Sequence, residues 1–158
     1  MWLVDTFDEF SQYLQMFENA KIIGNYEELV FKKTSNPLSV RYGLFDKKEL
    51  VAYYWLIKFS SQFDLMQSFE VRVRDDYQRK GIAYFFYKHI LLDEKIWIVS
   101  DYSHNVTSGI IWDKLQQEPM IKVGIYNRLL DSIEFSNSIS KHIIYKNDHM
   151  HYIASAWE

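Results

Sequence analysis

The segment from Phe69 to Leu92 constrains the fold most, because it joins a strand to a helix through a short basic turn. Phe69–Arg74 alternates apolar and charged side chains, which is typical of a half-buried strand. Ile82–Leu92 has no Gly or Pro and predicts a helix with one apolar face. The turn between them ends in Gln78-Arg79-Lys80-Gly81-Ile82-Ala83. A Gly beside the free N–H groups of a helix start predicts a site for an anion such as phosphate.

These six residues also resemble a known signature. The GNAT superfamily of N-acetyltransferases binds pyrophosphate with the pattern Gln/Arg-x-x-Gly-x-Gly/Ala, which Gln78, Gly81 and Ala83 match. The residues Val71, Val73 and Tyr77 fall where the family has apolar and aromatic residues. The alternative interpretation of the turn is a solvated basic loop without a ligand.

The remaining pattern predicts an α/β fold with a central mixed sheet, parallel near its middle and with helices on both faces. The predicted elements are a helix over about 6–19 with Thr6 and Glu9 as a capping box, a short strand over 29–31, a hairpin of 39–45 and 50–59, a buried parallel strand over 96–99, a helix from 103 or 105 to 117, a strand over 121–126 and a closing hairpin of 143–145 and 149–154. This order resembles the GNAT fold over most of residues 40 to 127. We expect residues 1–158 to form a single domain.

Charge and composition exclude several classes of function. The net charge of -3 gives no general attraction to nucleic acid, and Asp75 and Asp76 interrupt the basic cluster of Arg72, Arg74, Arg79 and Lys80. With no Cys, the chain has no disulfide framework and no cysteine nucleophile. No apolar run approaches the length of a membrane span, so a cytoplasmic protein is the expectation.

The GNAT resemblance implies transfer of an acetyl group from acetyl-CoA, as co-substrate, to an amine acceptor. It implies that the backbone of Arg79–Ala83, with the charges of Arg79 and Lys80, holds the pyrophosphate, and that Gln78 belongs to this site. It further implies that Val71 and Val73 pair with the pantetheine as an added strand, and that Asn105 opens a later helix near the cofactor. Such enzymes need neither a metal nor a protein nucleophile.

At two positions where many members of the family carry a catalytic residue, this chain has a different side chain. Where family members often carry a catalytic Glu, this chain has Gln67, which cannot act as a base. Where many carry a Tyr that protonates the thiolate, it has Trp112, whose indole does not ionise. The catalytic candidates are therefore Tyr102 and His104, just after the next strand, and then Glu70.

Three other interpretations remain open. His149 and His151 share one face of a strand, but no third ligand accompanies them, so we expect strand histidines and no metal site. The loss of the usual Glu and Tyr favours a catalytically silent module that binds CoA or a protein partner. The aromatic content also permits an interaction protein, with a homodimer formed through the C-terminal hairpin.

Overall fold

The protein is described by a computed structural model over residues 9–102, 106–136, 144 and 147–157. The helices are α1 (Glu9–Leu14), α2 (Ile82–Lys88) and α3 (Val106–Gln117). The strands are β1 (Lys21–Tyr26), β2 (Leu29–Asn36), β3 (Ser39–Asp46), β4 (Glu49–Phe59), β5 (Leu65–Val73), β6 (Trp97–Val99), β7 (Ile121–Asn127), β8 (Ser132–Phe135) and β9 (Met150–Ala156). Within these ranges they form a 9-stranded mixed sheet in the order β1-β2-β3-β4-β5-β6-β9-β7-β8. The predicted α/β class is confirmed.

The described residues fall into two compact units. The first takes those within 1–56 and 70–85, and the second takes those within 57–69 and 86–158. Both β4 and β5 therefore contribute residues to each unit. In the described part of the chain, no helix is both long and apolar enough to cross a membrane.

The first unit is built around aromatic contacts between α1 and the sheet. Phe10 meets the ring of Tyr53 edge-on at 5.5 Å, and Phe17 meets Phe45 at the same distance. The predicted N-terminal helix is confirmed from Glu9, but it ends at Leu14 and tightens into a 3₁₀ turn through Phe17. Thr6, the predicted cap, lies outside the described residues.

The second unit contains the predicted parallel pair. Leu65 lies opposite Trp97 and Gln67 lies opposite Val99, so β5 and β6 run in the same direction. The crossover between them is α2, which continues as a π-helical turn over His89–Asp93. Ile98 and Val99 have no exposed surface, which explains the unbroken apolar run of β6.

The predicted C-terminal hairpin is wrong. Ile144, the one described residue of its first strand, is helical and fully buried, since a short apolar run fits a buried helix as well as a strand. β9 instead pairs antiparallel with β7 and with β6. β8, which pairs antiparallel with β7, was not predicted.

Candidate functional site

β5 continues beyond the strand beside it. The last registered pair between β5 and β6 is Gln67 with Val99, where β6 ends, whereas β5 runs on to Val73. Among the described strands, residues 68–73 therefore have no registered partner on β6. Val71 and Val73 are half-buried in this part of β5. Where a strand runs on past its neighbour, its main chain can offer donors and acceptors to an extended ligand.

The backbone of the turn after β5 has an unusual conformation. φ is +63° at Arg79 and +76° at Gly81, and it is not positive at the Lys80 between them. Alternation of left-handed and right-handed residues turns successive N–H groups toward one side, where they form a concave site for an anion. Arg79, Lys80 and Gly81 are all exposed. Over Arg79, Lys80 and Gly81 the sign of φ thus alternates, as it does in such a concave backbone segment.

Tyr26 of β1 fixes the orientation of the central peptide of this turn. Its hydroxyl donates a hydrogen bond to the carbonyl oxygen of Lys80, and its ring packs against Phe85 at 4.5 Å between centroids. Because a trans peptide is planar, the N–H of Gly81 points away from the side on which the Lys80 carbonyl is held. Burial, with a smaller contribution from the charge of Glu27, raises the pKa of Tyr26, so the hydroxyl keeps its proton.

A side chain at position 81 would disturb this arrangement. A Cβ added to Gly81 would lie 3.2 Å from the Tyr26 hydroxyl oxygen, and the positive φ disfavours any residue with a Cβ. The first helical hydrogen bond of α2 runs from the Phe85 N–H to the Gly81 carbonyl at 2.9 Å. Helix geometry thus leaves the N–H groups of Ile82 and Ala83 without partners in the helix.

Two further side chains hold the start of the turn. The amide nitrogen of Gln78 donates to the Val73 carbonyl at 3.1 Å and to the Asp75 carboxylate at 3.2 Å. The Tyr77 hydroxyl donates to Asp46 at 2.6 Å, and this hydrogen bond raises the pKa of Tyr77 to about 12. The side-chain amide of Gln78 therefore supports the start of the turn, and its backbone N–H donates to the Asp75 carbonyl at 3.3 Å.

The basic residues around the turn do not form one patch. Arg74 donates through Nε to the Leu50 carbonyl at 2.7 Å and lies 3.6 Å from Glu49, so it clamps β5 to the hairpin of β3 and β4. Arg72 is paired with Glu70. Only Arg79 and Lys80, of the four basic residues in the predicted cluster, lie in the turn itself.

Glu70, the third catalytic candidate, is held beside an arginine. Its carboxylate accepts a hydrogen bond from Arg72 Nε at 3.0 Å, and 22% of its side chain is exposed. Burial first, and then the charge of Glu70, raise the pKa of the neighbouring Tyr53. Glu70 thus keeps partial access to solvent and lies beside the ring of Tyr53.

Tyr102, the first catalytic candidate, belongs to the second unit and is 52% exposed. The guanidinium of Arg128 lies 4.8 Å from its ring centroid, and its ring meets His151 edge-on at 5.2 Å. These contacts hold the ring while it stays open to solvent. His104 and Asn105, the other two predicted site residues near this loop, lie outside the described residues.

His151 has a structural role that agrees with the expectation of hydrogen-bonded strand histidines. It is fully buried, and its Nδ1 lies 2.9 Å from the Ser100 carbonyl oxygen, to which it can only donate. Arg128 Nε donates to its Nε2 at 3.3 Å, so the imidazole is neutral with the proton on Nδ1. In the described ranges, no group of three or more His, Cys, Asp and Glu could hold a metal ion.

Gln67 and Trp112 are both buried in the second unit. Gln67 is 4% exposed, and among the described residues its amide nitrogen has no hydrogen-bond partner. Trp112 is 2% exposed, stacks on Tyr152 at 5.2 Å with planes 10° apart, and meets Tyr87 edge-on at 5.9 Å. Trp112 is therefore a core residue. Its indole also cannot ionise, so it cannot protonate a thiolate.

A separate groove of about 490 Å³ opens in the second unit, between the end of α3 and the strands β7 and β8. Its lining includes Gln116, Pro119, Lys122, Phe135 and Trp157. Lys122 lies over the ring of Phe135 at 4.5 Å and over that of Trp157 at 5.4 Å. None of the predicted site residues lines this groove.

Sequence reasoning missed Tyr26, although it is the residue that fixes the turn. It lies 54 residues before Lys80 in the chain, so no local spacing connects the two. The only available signal was an aromatic residue shortly after two isoleucines, in Ile22-Ile23-Gly24-Asn25-Tyr26. Such a run does not reveal which distant backbone group the hydroxyl reaches.

Comparison with solved structures includes a distant structural likeness. The chain is similar to an IAA acetyltransferase from Bacillus cereus ATCC 14579, with 15% sequence identity and a TM-score of 0.42. The likeness covers 75% of this chain and 78% of that one. No model of a known protein family matches the chain, and no curated protein matches its sequence.

Proposed function

We propose that the protein transfers an acetyl group from acetyl-CoA to an amine, and that the turn of Gln78–Ala83 holds the pyrophosphate of this co-substrate. The observation that carries the proposal is the backbone of the turn, in which φ alternates in sign and Tyr26 fixes the Lys80–Gly81 peptide. Preorganised N–H groups bind an anion without the entropic cost of ordering a loop.

Each residue of the turn has a distinct task in this proposal. The N–H groups of Gly81, Ile82 and Ala83 donate to phosphate oxygens, and the absent side chain at Gly81 lets the oxygens come close. The exposed side chains of Arg79 and Lys80 add charge that attracts the anion. Lys80 Nζ lies 5.1 Å from the ring centroid of Tyr77, which keeps it near the turn.

The extension of β5 beyond the end of β6 supports the next part of the proposal. The main-chain groups of Val71 and Val73 pair with the amides of the pantetheine, as a strand added to a sheet does. The coenzyme, when bound, supplies an acyl thioester that a neutral amine attacks directly. The chain then has two tasks, which are to place the thioester beside β5 and to take a proton from the amine.

Removal of that proton is assigned to a side chain with access to solvent. Tyr102 is the first candidate because its ring is held by Arg128 and His151 while half of the residue is exposed. Glu70 is the alternative in the first unit, and His104 stays a candidate outside the described residues. A positioned acid or base of this kind contributes about 10²- to 10⁴-fold to the rate.

The second candidate function is a module that binds CoA without catalysis. Two buried residues favour it, since Gln67 stands where related enzymes often have a Glu and Trp112 stacks on Tyr152 in the core. In that case the turn binds the coenzyme as proposed, while the positions for proton transfer stay inert. Binding and turnover therefore have to be measured separately.

Release of CoA thiol from acetyl-CoA tests the catalytic part. We expect steady release that requires both the protein and an amine, in a panel that includes primary amines, amino acids, peptides and proteins. A protein that binds acetyl-CoA but releases no thiol above the uncatalysed rate with any amine would contradict the transferase and favour the binding module. A Gly81→Glu variant serves as the matched blank, because its turn cannot accept the pyrophosphate.

A further inference from the structure

Arg41 in β3 is a half-buried cation with an aromatic neighbour. β3 lies between β2 and β4 in the sheet, so Arg41 stands within the sheet and not at its edge. Its guanidinium carbon is 4.4 Å from the ring centroid of Trp55. Its Nε is buried, and among the described residues it has no hydrogen-bond partner.

The other arginines of the chain are satisfied differently. Arg72 and Arg74 are paired with carboxylates, Arg128 donates to the Asp148 carbonyl and to His151, and Arg79 is exposed. Arg41 is the one half-buried arginine whose guanidinium, within the described part of the chain, makes no hydrogen bond or ion pair. Burial also lowers the pKa of Arg41.

The surroundings of Arg41 suit a ligand with an apolar body and a negative group. Trp55 is followed by Tyr13 at 6.4 Å and then by Tyr53 at 4.7 Å, which together make a row of aromatic rings leading away from the cation. Thr34 lies directly opposite Arg41 in the register of β2 and β3, and directly opposed residues share one face of the sheet. Its hydroxyl is a second donor on the side of Arg41.

We propose that Arg41 binds a carboxylate of the amine acceptor, with the aromatic row of Trp55 and Tyr13 beside the acceptor's apolar part. This assignment rests on the proposed acetyl transfer, and it narrows the acceptor to amines that also carry a carboxylate. A guanidinium offers two parallel N–H donors that match the two oxygens of a carboxylate. One cation balances the single charge of a carboxylate, whereas a phosphate monoester carries about −1.5 to −2 at neutral pH.

Titration of the Arg41 Nε–H signal by NMR tests the site without any need for turnover. The probes are phenylacetate, its uncharged analogue phenylacetamide, and inorganic phosphate. We expect a saturable shift with phenylacetate, no saturable shift with phenylacetamide, and a weaker response to phosphate. Loss of the signal in Arg41→Lys assigns it, and the Trp55 indole signal should shift along the same titration.

Variants on the same face sharpen the result. Arg41→Met keeps an apolar chain on Trp55 and should weaken phenylacetate binding, followed at the Trp55 indole, by about tenfold or more. Thr34→Val removes only the hydroxyl and should weaken it by a smaller factor. Lys21→Met, which removes an exposed charge from β1, should leave the affinity unchanged.

Two outcomes would overturn the site, namely an equal response to phenylacetate and phenylacetamide, or a response to phosphate that equals that to phenylacetate. Calorimetry with acetyl-CoA on Arg41→Met separates this proposal from the function itself. Unchanged coenzyme binding in that variant, together with lost phenylacetate binding, is the expected result. If wild-type protein binds phenylacetate but not acetyl-CoA, the proposed function fails while the carboxylate site stands.

Discussion

The turn after β5 and the loop after β6 both lie at the ends of neighbouring parallel strands, yet they are built in different ways. The turn presents its own main chain, and side chains such as Tyr26, Tyr77 and Gln78 hold that main chain in place. The loop presents side chains, with Tyr102 held between Arg128 and His151. A site made of backbone needs only a conformation, whereas a site made of side chains needs particular residues. The proposed role of the turn therefore depends less on the identity of individual side chains than the proposed role of the loop does.

Gly81→Glu should have the largest effect on acetyl-CoA affinity, because the substitution lies in the turn itself. The new side chain meets a positive φ of 76°, and its carboxylate stands where the phosphate is proposed to bind. We expect acetyl-CoA affinity to fall by about 10³-fold or more, as measured by calorimetry. Gly24→Glu in β1 is the matched control, since a Cβ there has no atom within 4 Å. Equal losses in the two variants would show that added charge, and not the turn, decides binding.

Tyr102→Phe should have the next largest effect, and it acts on the loop alone. The ring and its contacts with Arg128 and His151 stay, so only the hydroxyl is lost. We expect kcat to fall by about 10²-fold with unchanged acetyl-CoA affinity, since general acid–base groups contribute on this scale. Glu70→Gln is the paired experiment in the first unit. If Glu70→Gln lowers kcat and Tyr102→Phe does not, the proton is taken in the first unit.

Tyr26→Phe should weaken acetyl-CoA binding by about fivefold, which corresponds to one lost hydrogen bond of about 1 kcal/mol. The ring contact with Phe85 is kept, so the change isolates the bond to the Lys80 carbonyl. Tyr77→Phe removes the hydrogen bond to Asp46 from the same turn and provides the comparison. An affinity loss in Tyr77→Phe as large as that in Tyr26→Phe would mean that general loosening of the turn, and not the Lys80–Gly81 peptide, sets the affinity.

Asp131→Asn should have the smallest effect and should leave the turn untouched. The Asp131 carboxylate accepts hydrogen bonds from the Ser61 hydroxyl at 2.5 Å, from Tyr126 and from the Gln62 N–H at 2.9 Å, and these bonds lower its pKa. A lowered pKa in the folded state stabilises the protein above the ordinary value of 3.8, and this contribution is lost as the pH falls below it.

Thermal melts of Asp131→Asn should therefore show a Tm lower by a few degrees at neutral pH and a smaller further loss in acid than in the wild type. Acetyl-CoA affinity should not change, because Asp131 and its partners lie in the second unit. An equal loss of Tm in acid for the wild type and for Asp131→Asn would contradict the assigned role of this carboxylate.

The sequence predicted best those parts that local patterns specify. The strand β5 was predicted from alternating apolar and charged residues, the turn from a Gly, and β6 from an apolar run. The structure confirms the order of β5, turn, α2 and β6. β1 was missed because Gly24 and Asn25 interrupt its pattern, and because an edge strand buries little. β8 was missed because the turn before it carries two exposed leucines, Leu129 and Leu130, which resemble neither a turn nor a strand.

In the candidate site, too, features formed by residues close in sequence could be predicted, whereas contacts between distant residues could not. Gln78–Ala83 could be singled out from residues close in sequence, and two of its residues, Arg79 and Gly81, have a positive φ. A contact such as the hydrogen bond of Tyr26 with Lys80 joins residues far apart in the chain. A single sequence contains no spacing rule for such contacts, because the packing of the whole unit decides them. Tyr102 and Glu70 could be named from the sequence, but their roles await the kinetic comparison.

The central claim is that the turn binds the pyrophosphate of acetyl-CoA. The most direct measurement is calorimetry of wild-type protein with acetyl-CoA and with S-acetylpantetheine, which has the same thioester and pantetheine but lacks the pyrophosphate and the phosphoadenosine attached to it. The account predicts saturable binding of acetyl-CoA and an affinity for S-acetylpantetheine that is weaker by about 10²-fold or more. Equal affinities for the two compounds, or no binding of acetyl-CoA at about 1 mM, would contradict it.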